Sequence, residues 1–414
     1  MAEARRKLGT TTMTRAVSAC LLFLALCLLT LIAGACSGGG DNGDDNPFGI
    51  KSEVVTPAAN ADAIEFAPDG RLFFVEHWTG AIRVVGADGK LLADPFFTLT
   101  DVTAGIGWGL SGLAIDPSFA TNHYVYALYT QLVRAGPPTV GKPVVVRLTD
   151  NNNVGTDQLV LVSNLPETDP EHPFNANGSL HFGPDGRLYF TLGDYDKAQA
   201  LGPTGKPLSQ DLGTPIGKML RVNKEDGSPP PDNPFVRDPS ADPRIYAYGF
   251  RGAINFTVNP KTKRIYAIDN TGLTCEGVVT IEAGANYAWP NVGTFPFNDC
   301  AIGRTQTPLG YLTQQGRRPE DFQSAPGSTG TEFISGSVYK VLGDSLVVCE
   351  SGTQLLRRLV LAPPNFDKIT ANDVIAKNCW LDVTVGPDGL VYYANLTEIR
   401  RLPRPPESPS PSQS

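Results

Sequence analysis

FAPDGRLFF at residues 66–74, FGPDGRLYF at 182–190 and VGPDGLVYY at 385–393 are one phrase written three times, with VNPKTKRIY at 258–266 as a looser copy. In each full copy a Pro-Asp-Gly turn separates two apolar, β-rich runs. Pro presets φ, the Asp side chain caps the turn, and Gly accepts φ > 0, so each copy signals a hairpin for a physical reason. Working outward, further strand pairs fall in residues 112–129, 144–148 and 338–361, which gives about six units. Their spacing is irregular, which excludes a short-period solenoid and fits a propeller whose blades carry unequal insertions. In such a ring each amphipathic sheet buries its faces against its neighbours. The expected fold class is therefore all-β, a propeller over residues 50–403, with residues 381–402 completing a blade near the start of the domain.

The composition agrees. Gly 43 and Pro 35 suit short strands and tight turns and exclude a helical bundle, which needs long stretches free of both. Residues 199–243 are rich in Pro and Gly and read as a long functional loop rather than plain sheet.

The N-terminus reads as an export segment. Arg5, Arg6, Lys7 and Arg15 precede an apolar run over 16–32, followed by Ala33, Gly34, Ala35 and Cys36. Met13 is an alternative start. The expectation is a lipoprotein-type signal peptide over 1–35 with lipidation at Cys36, although Ala33 stands where a branched residue is usual. Ala33 and Ala35 also suit an ordinary signal peptidase, and an uncleaved anchor of borderline length is the remaining alternative. Residues 36–49 form a Gly/Asp tether and residues 404–414 a disordered Pro/Ser tail. The chain is thus expected to be exported, lipid-anchored at the cell surface or in the periplasm, or else secreted, meeting the membrane only through that anchor.

With 34 basic against 42 acidic side chains, and a net charge of −8, nothing collects phosphates, which excludes nucleic acid as a partner. After Cys20, Cys27 and Cys36 are set aside, Cys275, Cys300, Cys349 and Cys379 remain, an even number for an oxidising compartment. Three pairings are open. Sequence-local pairing, Cys275 with Cys300 and Cys349 with Cys379, is preferred, and no Cys/His spacing supports a metal site instead.

Several phrases in order resemble the soluble glucose/sorbosone dehydrogenase family. They are GLSGLAIDPSFA at 109–120, GSLHFGPDGRLY at 178–189 with Gly193-Asp194, GKMLRVN at 217–223, YGFR at 248–251, GANYAWP at 284–290 and DVTVGPDG at 382–389. The resemblance implies a six-bladed β-propeller that holds pyrroloquinoline quinone (PQQ) and calcium at its hub. There a His takes the proton of a sugar hydroxyl while hydride passes to the quinone.

Residue by residue, this implied site is incomplete. The family His corresponds to Asn175, whose amide cannot accept a proton. His172, three residues earlier, is the candidate substitute base, with an exposed loop His as the plainer reading. His181 lies in the following strand and is expected to face a neighbouring blade. Arg251 keeps the family Arg, as an anion clamp for the cofactor or as an ordinary surface ion pair, but Gly252 replaces the Asn that follows. In the calcium segment, Glu276 and Tyr287 are the candidate ligands, Glu276 otherwise being a solvated loop acid. Trp108 either stacks on a planar cofactor or plugs the central channel. Two functions follow as expectations. One is a PQQ-dependent dehydrogenase of a sugar or polyol. The other is a degenerate, non-catalytic propeller lipoprotein that binds a glycan or protein partner.

Overall fold

The computed structural model describes residues 47–404 apart from 169–174, 177, 253–254, 271–275, 291–304, 306–307, 313–326 and 337–338. His172, Cys275, Cys300 and Cys36 therefore lie outside the described residues, as do the signal segment and most of the tether and tail. Six four-stranded antiparallel sheets stand in a ring as a six-bladed β-propeller. Blade one is β2 (Ile64–Phe66), β3 (Leu72–Glu76), β4 (Ala81–Val85) and β5 (Phe97–Thr98). Blade two is β6 (Leu110–Ile115), β7 (Tyr124–Arg134), β8 (Val140–Asn151) and β9 (Val154–Val162). Blade three is β10 (Leu180–Phe182), β11 (Leu188–Leu192), β12 (Lys218–Val222) and β13 (Ile245–Tyr248). Blade four is β14 (Phe256–Val258), β15 (Ile265–Asp269), β16 (Gly277–Ile281) and β17 (Gly310–Tyr311). Blade five is β18 (Ser328–Ile334), β19 (Ser345–Glu350), β20 (Leu355–Leu361) and β21 (Ile369–Lys377). Blade six takes β22 (Val383–Val385), β23 (Val391–Ala394) and β24 (Glu398–Leu402) from the end of the chain and its outer strand β1 (Glu53–Pro57) from the beginning.

The repeated phrase does one job throughout. It turns the chain from the innermost strand of a blade into the second. Asp69, Asp185 and Asp388 accept the backbone N–H two residues on, from Arg71, Arg187 and Leu390. Gly70, Gly186 and Gly389 take φ of 90°, 72° and 75°, conformations that a β-carbon opposes. In the looser copy, Asn259 caps the turn from Lys261 and Lys263 occupies the left-handed position. Blade two makes the same turn differently. Asp116, buried there, accepts from Ser118 N, Tyr126 Oη and Lys224 Nζ.

Apolar clusters lie between successive blades. Between blades two and three, for example, Tyr126, Leu128, Leu180, Leu188 and Phe190 pack together, each contributing about 1.5–3 kcal/mol relative to exposure. The segment 199–243 is not the single loop the composition suggests, because it contains β12, whose five residues are all buried. Lys218 starts that strand and donates to the carbonyls of Leu208, Ser209 and Ile216, which fixes the preceding turn. Cys349 of β19 is bridged to Cys379, as sequence-local pairing expects, tying blade five to the segment that enters blade six.

Candidate functional site

At the hub, the leads into the innermost strands and the nearby strand ends enclose a cavity of about 380 Å³. Every blade contributes. Asn60, Asp62, His77 and Trp78 come from blade one and its lead. Ile106, Gly107 and Ser111 come from blade two, and Asn175, Gly178 and Ser179 from the lead of blade three. Asn255 precedes blade four, Thr329 and Ser351 belong to blade five, and Trp380, Leu381 and Leu396 to blade six. The volume falls in the roughly 300–1,000 Å³ range of small-molecule sites.

Asn175 is a lining residue, with φ 53°, where the family resemblance puts the catalytic His. Its backbone is pressed against Gly193, where a β-carbon would come within 2.3 Å of the Asn175 carbonyl oxygen. That contact explains the glycine of the Gly193-Asp194 phrase. Among the described residues, the ionisable groups lining the cavity are His77 and Asp62, neither of which was singled out in the sequence. His77 Nδ1 stands 2.6 Å from Asp62 Oδ2, and Nε2 stands 3.0 Å from the Gly105 carbonyl. Both nitrogens therefore face acceptors, an arrangement that favours the doubly protonated ring. Burial opposes this charge, but Asp62 and the Gly105 carbonyl outweigh it and hold the pKa of His77 above its usual value. Each ring nitrogen is thus already engaged by a neighbour within the protein. No strand pattern marks these two residues, which sit at strand ends; only the fold brings them together.

Asn255 connects the cavity to the central channel. Its amide oxygen pairs with His181 Nε2 at 3.1 Å and its amide nitrogen donates to Asp382 Oδ1 at 2.9 Å. Asp382 Oδ2 also accepts from Ile64 N, so it ties blade six to blade one. Glu65, His181, Thr257 and Glu332, from four innermost strands, line a second space of about 210 Å³ within the channel. Burial pushes Asp382 and Glu332 up to about 7, and Glu65 is raised well above the carboxylate range by burial and by the charges of Glu332 and Asp382. Burial lowers His181 to about 4, so it is neutral. His181 packs edge-on against Phe256 of blade four, the neighbouring-blade position the sequence suggested.

The remaining candidates lie apart from the cavity lining. Trp108 is buried and packs with Ala176, Tyr195 and Ile216. Gly105 pairs with Trp108 across the turn, and the indole lies against that glycine. Arg251 stands 3.8 Å from Asp196 and over the Trp289 ring, an ion-pair position, and is not among the lining side chains. Glu276 is fully buried, not a solvated loop acid. It accepts from Gly327 N and Ser328 N, and burial pushes it up to about 7. Tyr287 stacks on Phe250 and spends its hydroxyl on Thr280 O and Glu282 N. Both are thus engaged within the protein, and among the described residues no group of three or more His, Cys, Asp or Glu is placed to hold a metal. The residues 213, 226–229 and 239–243 of the long segment, with Arg244 just beyond it, line a separate cleft.

The cofactor implied by the family is a planar tricarboxylate. Holding it requires cations, yet among the described residues no Lys or Arg lines the cavity and His77 is already neutralised by Asp62. The described lining thus offers the quinone carboxylates neutral donors.

A six-bladed ring with a ligand-sized cavity at the hub defines a six-bladed β-propeller with a small-molecule site. The chain belongs to the Glucose / Sorbosone dehydrogenase family, whose profile matches residues 59–401. It is 24% identical over 343 residues to the aldose sugar dehydrogenase YliI of Escherichia coli K12, covering 80% of this chain and 85% of that protein. Among solved structures, an oxidoreductase (glucose dehydrogenase) of Thermus thermophilus aligns with TM-score 0.69 at 28% identity, over 86% of this chain and 100% of that one. The PQQ-bound aldose sugar dehydrogenase of Streptomyces coelicolor aligns with TM-score 0.62 at 21% identity, over 86% of this chain and 99% of that one.

Proposed function

We propose that this chain is an exported sugar-binding member of the family whose hub cavity takes an uncharged saccharide and which has lost quinone-dependent oxidation. One observation carries the reading: the cavity position of the family base holds Asn175, and the neighbouring imidazole has both nitrogens engaged. Trp78 and Trp380 offer aromatic faces, Asn60 and Asn175 offer neutral amides, and the Ser111, Thr329 and Ser351 hydroxyls, which donate within the protein, keep lone pairs to accept. That combination suits a hydroxylated ring with an apolar face and no charge. The Cys349–Cys379 bridge supports an oxidising location, and attachment through Cys36 is part of the same proposal.

A second reading is an active PQQ-dependent sugar dehydrogenase. Family membership across 59–401 favours it, with His172 as base. Purified protein is titrated with aldoses by calorimetry, then supplied with PQQ and calcium while reduction of an electron-accepting dye is followed. Saccharide binding without dye reduction is expected. Quinone-dependent reduction would overturn the loss of catalysis, and its disappearance in His172→Ala would then establish the second reading. No saccharide binding in the absence of quinone would end the first.

A further inference from the structure

We propose that the ligand of the hub cavity is an amphipathic glycoside, its sugar on the polar floor and an apolar aglycone against Trp78, Ile106 and Leu396. This rests on the saccharide reading above and goes further, since a free aldose would leave the apolar walls unused. Trp78 is 51% exposed, Ile106 69% and Leu396 37%. Singly exposed apolar side chains need no explanation. Here three of them share one cavity with Trp380 and Leu381, and a concentrated apolar patch marks a binding surface.

The floor supplies the second half. Ser179 is 6% exposed and lines the cavity, and its hydroxyl has no hydrogen-bond partner among the described residues. A buried hydroxyl without a partner is costly, and rotation of the Ser179 side chain toward the cavity would let a ligand hydroxyl satisfy it. Ser111 Oγ is already committed to the Gly178 carbonyl, and Asn255 to His181 and Asp382, so these two hold the floor rigid. His77 is paired with Asp62, so the cavity holds no free cation among the described residues to reward a phosphorylated or carboxylated sugar. The resulting gradient, hydroxyl and amide groups within and aliphatic and indole surface outside, matches a glycoside.

The test compares methyl, butyl and phenyl glycosides of glucose, galactose and mannose by calorimetry on the full protein, with butanol and phenol alone as further ligands. Because one added methylene in an apolar site changes affinity by about tenfold or more, butyl and phenyl glycosides are expected to bind at least tenfold tighter than the methyl glycoside of the same sugar. In Ile106→Ser/Leu396→Ser, whose substituted side chains are exposed, that ratio is expected to fall to near one. Methyl glycosides that bind with a flat ratio overturn the aglycone inference and leave the saccharide reading standing. A ratio that survives the double substitution overturns the assigned wall. Binding of butanol or phenol with no glycoside binding overturns both the glycoside and the saccharide reading.

Discussion

Replacing Glu332 by Gln should remove much of the alkaline destabilisation of this protein while leaving its acid stability nearly untouched. Glu332 Oε1 accepts from Thr257 Oγ1 and from Phe333 N, and a Gln carbonyl oxygen can keep both bonds. Only the ionising oxygen is exchanged, for a neutral NH₂. Burial pushes the Glu332 carboxyl from 4.5 to about 7. An acid whose folded pKa is raised keeps a proton that the unfolded chain releases. Stability is therefore fully present below about pH 4.5 and is lost as pH rises through about 7. At 1.36 kcal/mol per pKa unit the shift amounts to about 3 kcal/mol. Glu65 and Asp382 act in the same direction, and removing one charge also relieves them, so the whole cluster responds. Guanidinium unfolding followed by tryptophan fluorescence at pH 5 and pH 8.5 measures the difference. The variant should match the parent at pH 5 and exceed it by about 3 kcal/mol at pH 8.5. Parallel pH profiles for the two proteins would refute the claim that a buried carboxyl at 332 titrates near neutrality.

Two further outcomes follow. Cys349→Ala/Cys379→Ala opens a bridge spanning a sequence separation of 30 and should cost about 3–4 kcal/mol, seen as a lower unfolding midpoint; a loss under about 1 kcal/mol would show that the bridge does not constrain the unfolded chain. Asp62→Asn should bring the His77 pKa down. The imidazolium–carboxylate contribution is present below the ordinary His value of 6.5 and disappears as pH rises through the higher folded value. Ring-nitrogen NMR titration reads this directly, and an unchanged His77 titration in the variant would contradict the double-donor assignment.

The fold was legible because its punctuation is local. A Pro-Asp-Gly phrase needs only its own side chain and φ angles to make the turn, so all three copies fall between the first and second strands of blades one, three and six. Local Cys spacing worked for 349 and 379 for a similar reason. The cavity was legible only where family order could be counted, as at Asn175. His77, Trp78 and Trp380 come from strand ends at opposite ends of the chain, and a His or Trp there carries no signature of what it faces. Glu276 shows the opposite failure: an acid among turn residues reads as solvated, yet it is buried by capping the start of the next blade. One signal went unread. The innermost strands read Ile64-Glu65-Phe66, Leu180-His181-Phe182 and Phe256-Thr257-Val258, each a polar residue between apolar ones. That alternation is how a ring of polar groups is threaded through a closed channel.

The outer strand of blade six comes from residues 53–57 and pairs with residues 398–401, so ring closure waits on the last part of the chain to be synthesised. Until those residues emerge, the early strand presents an unsatisfied edge open to pairing with other chains. Truncations that remove even the final few folded residues should therefore damage solubility out of proportion to their length, because they leave that edge permanently open.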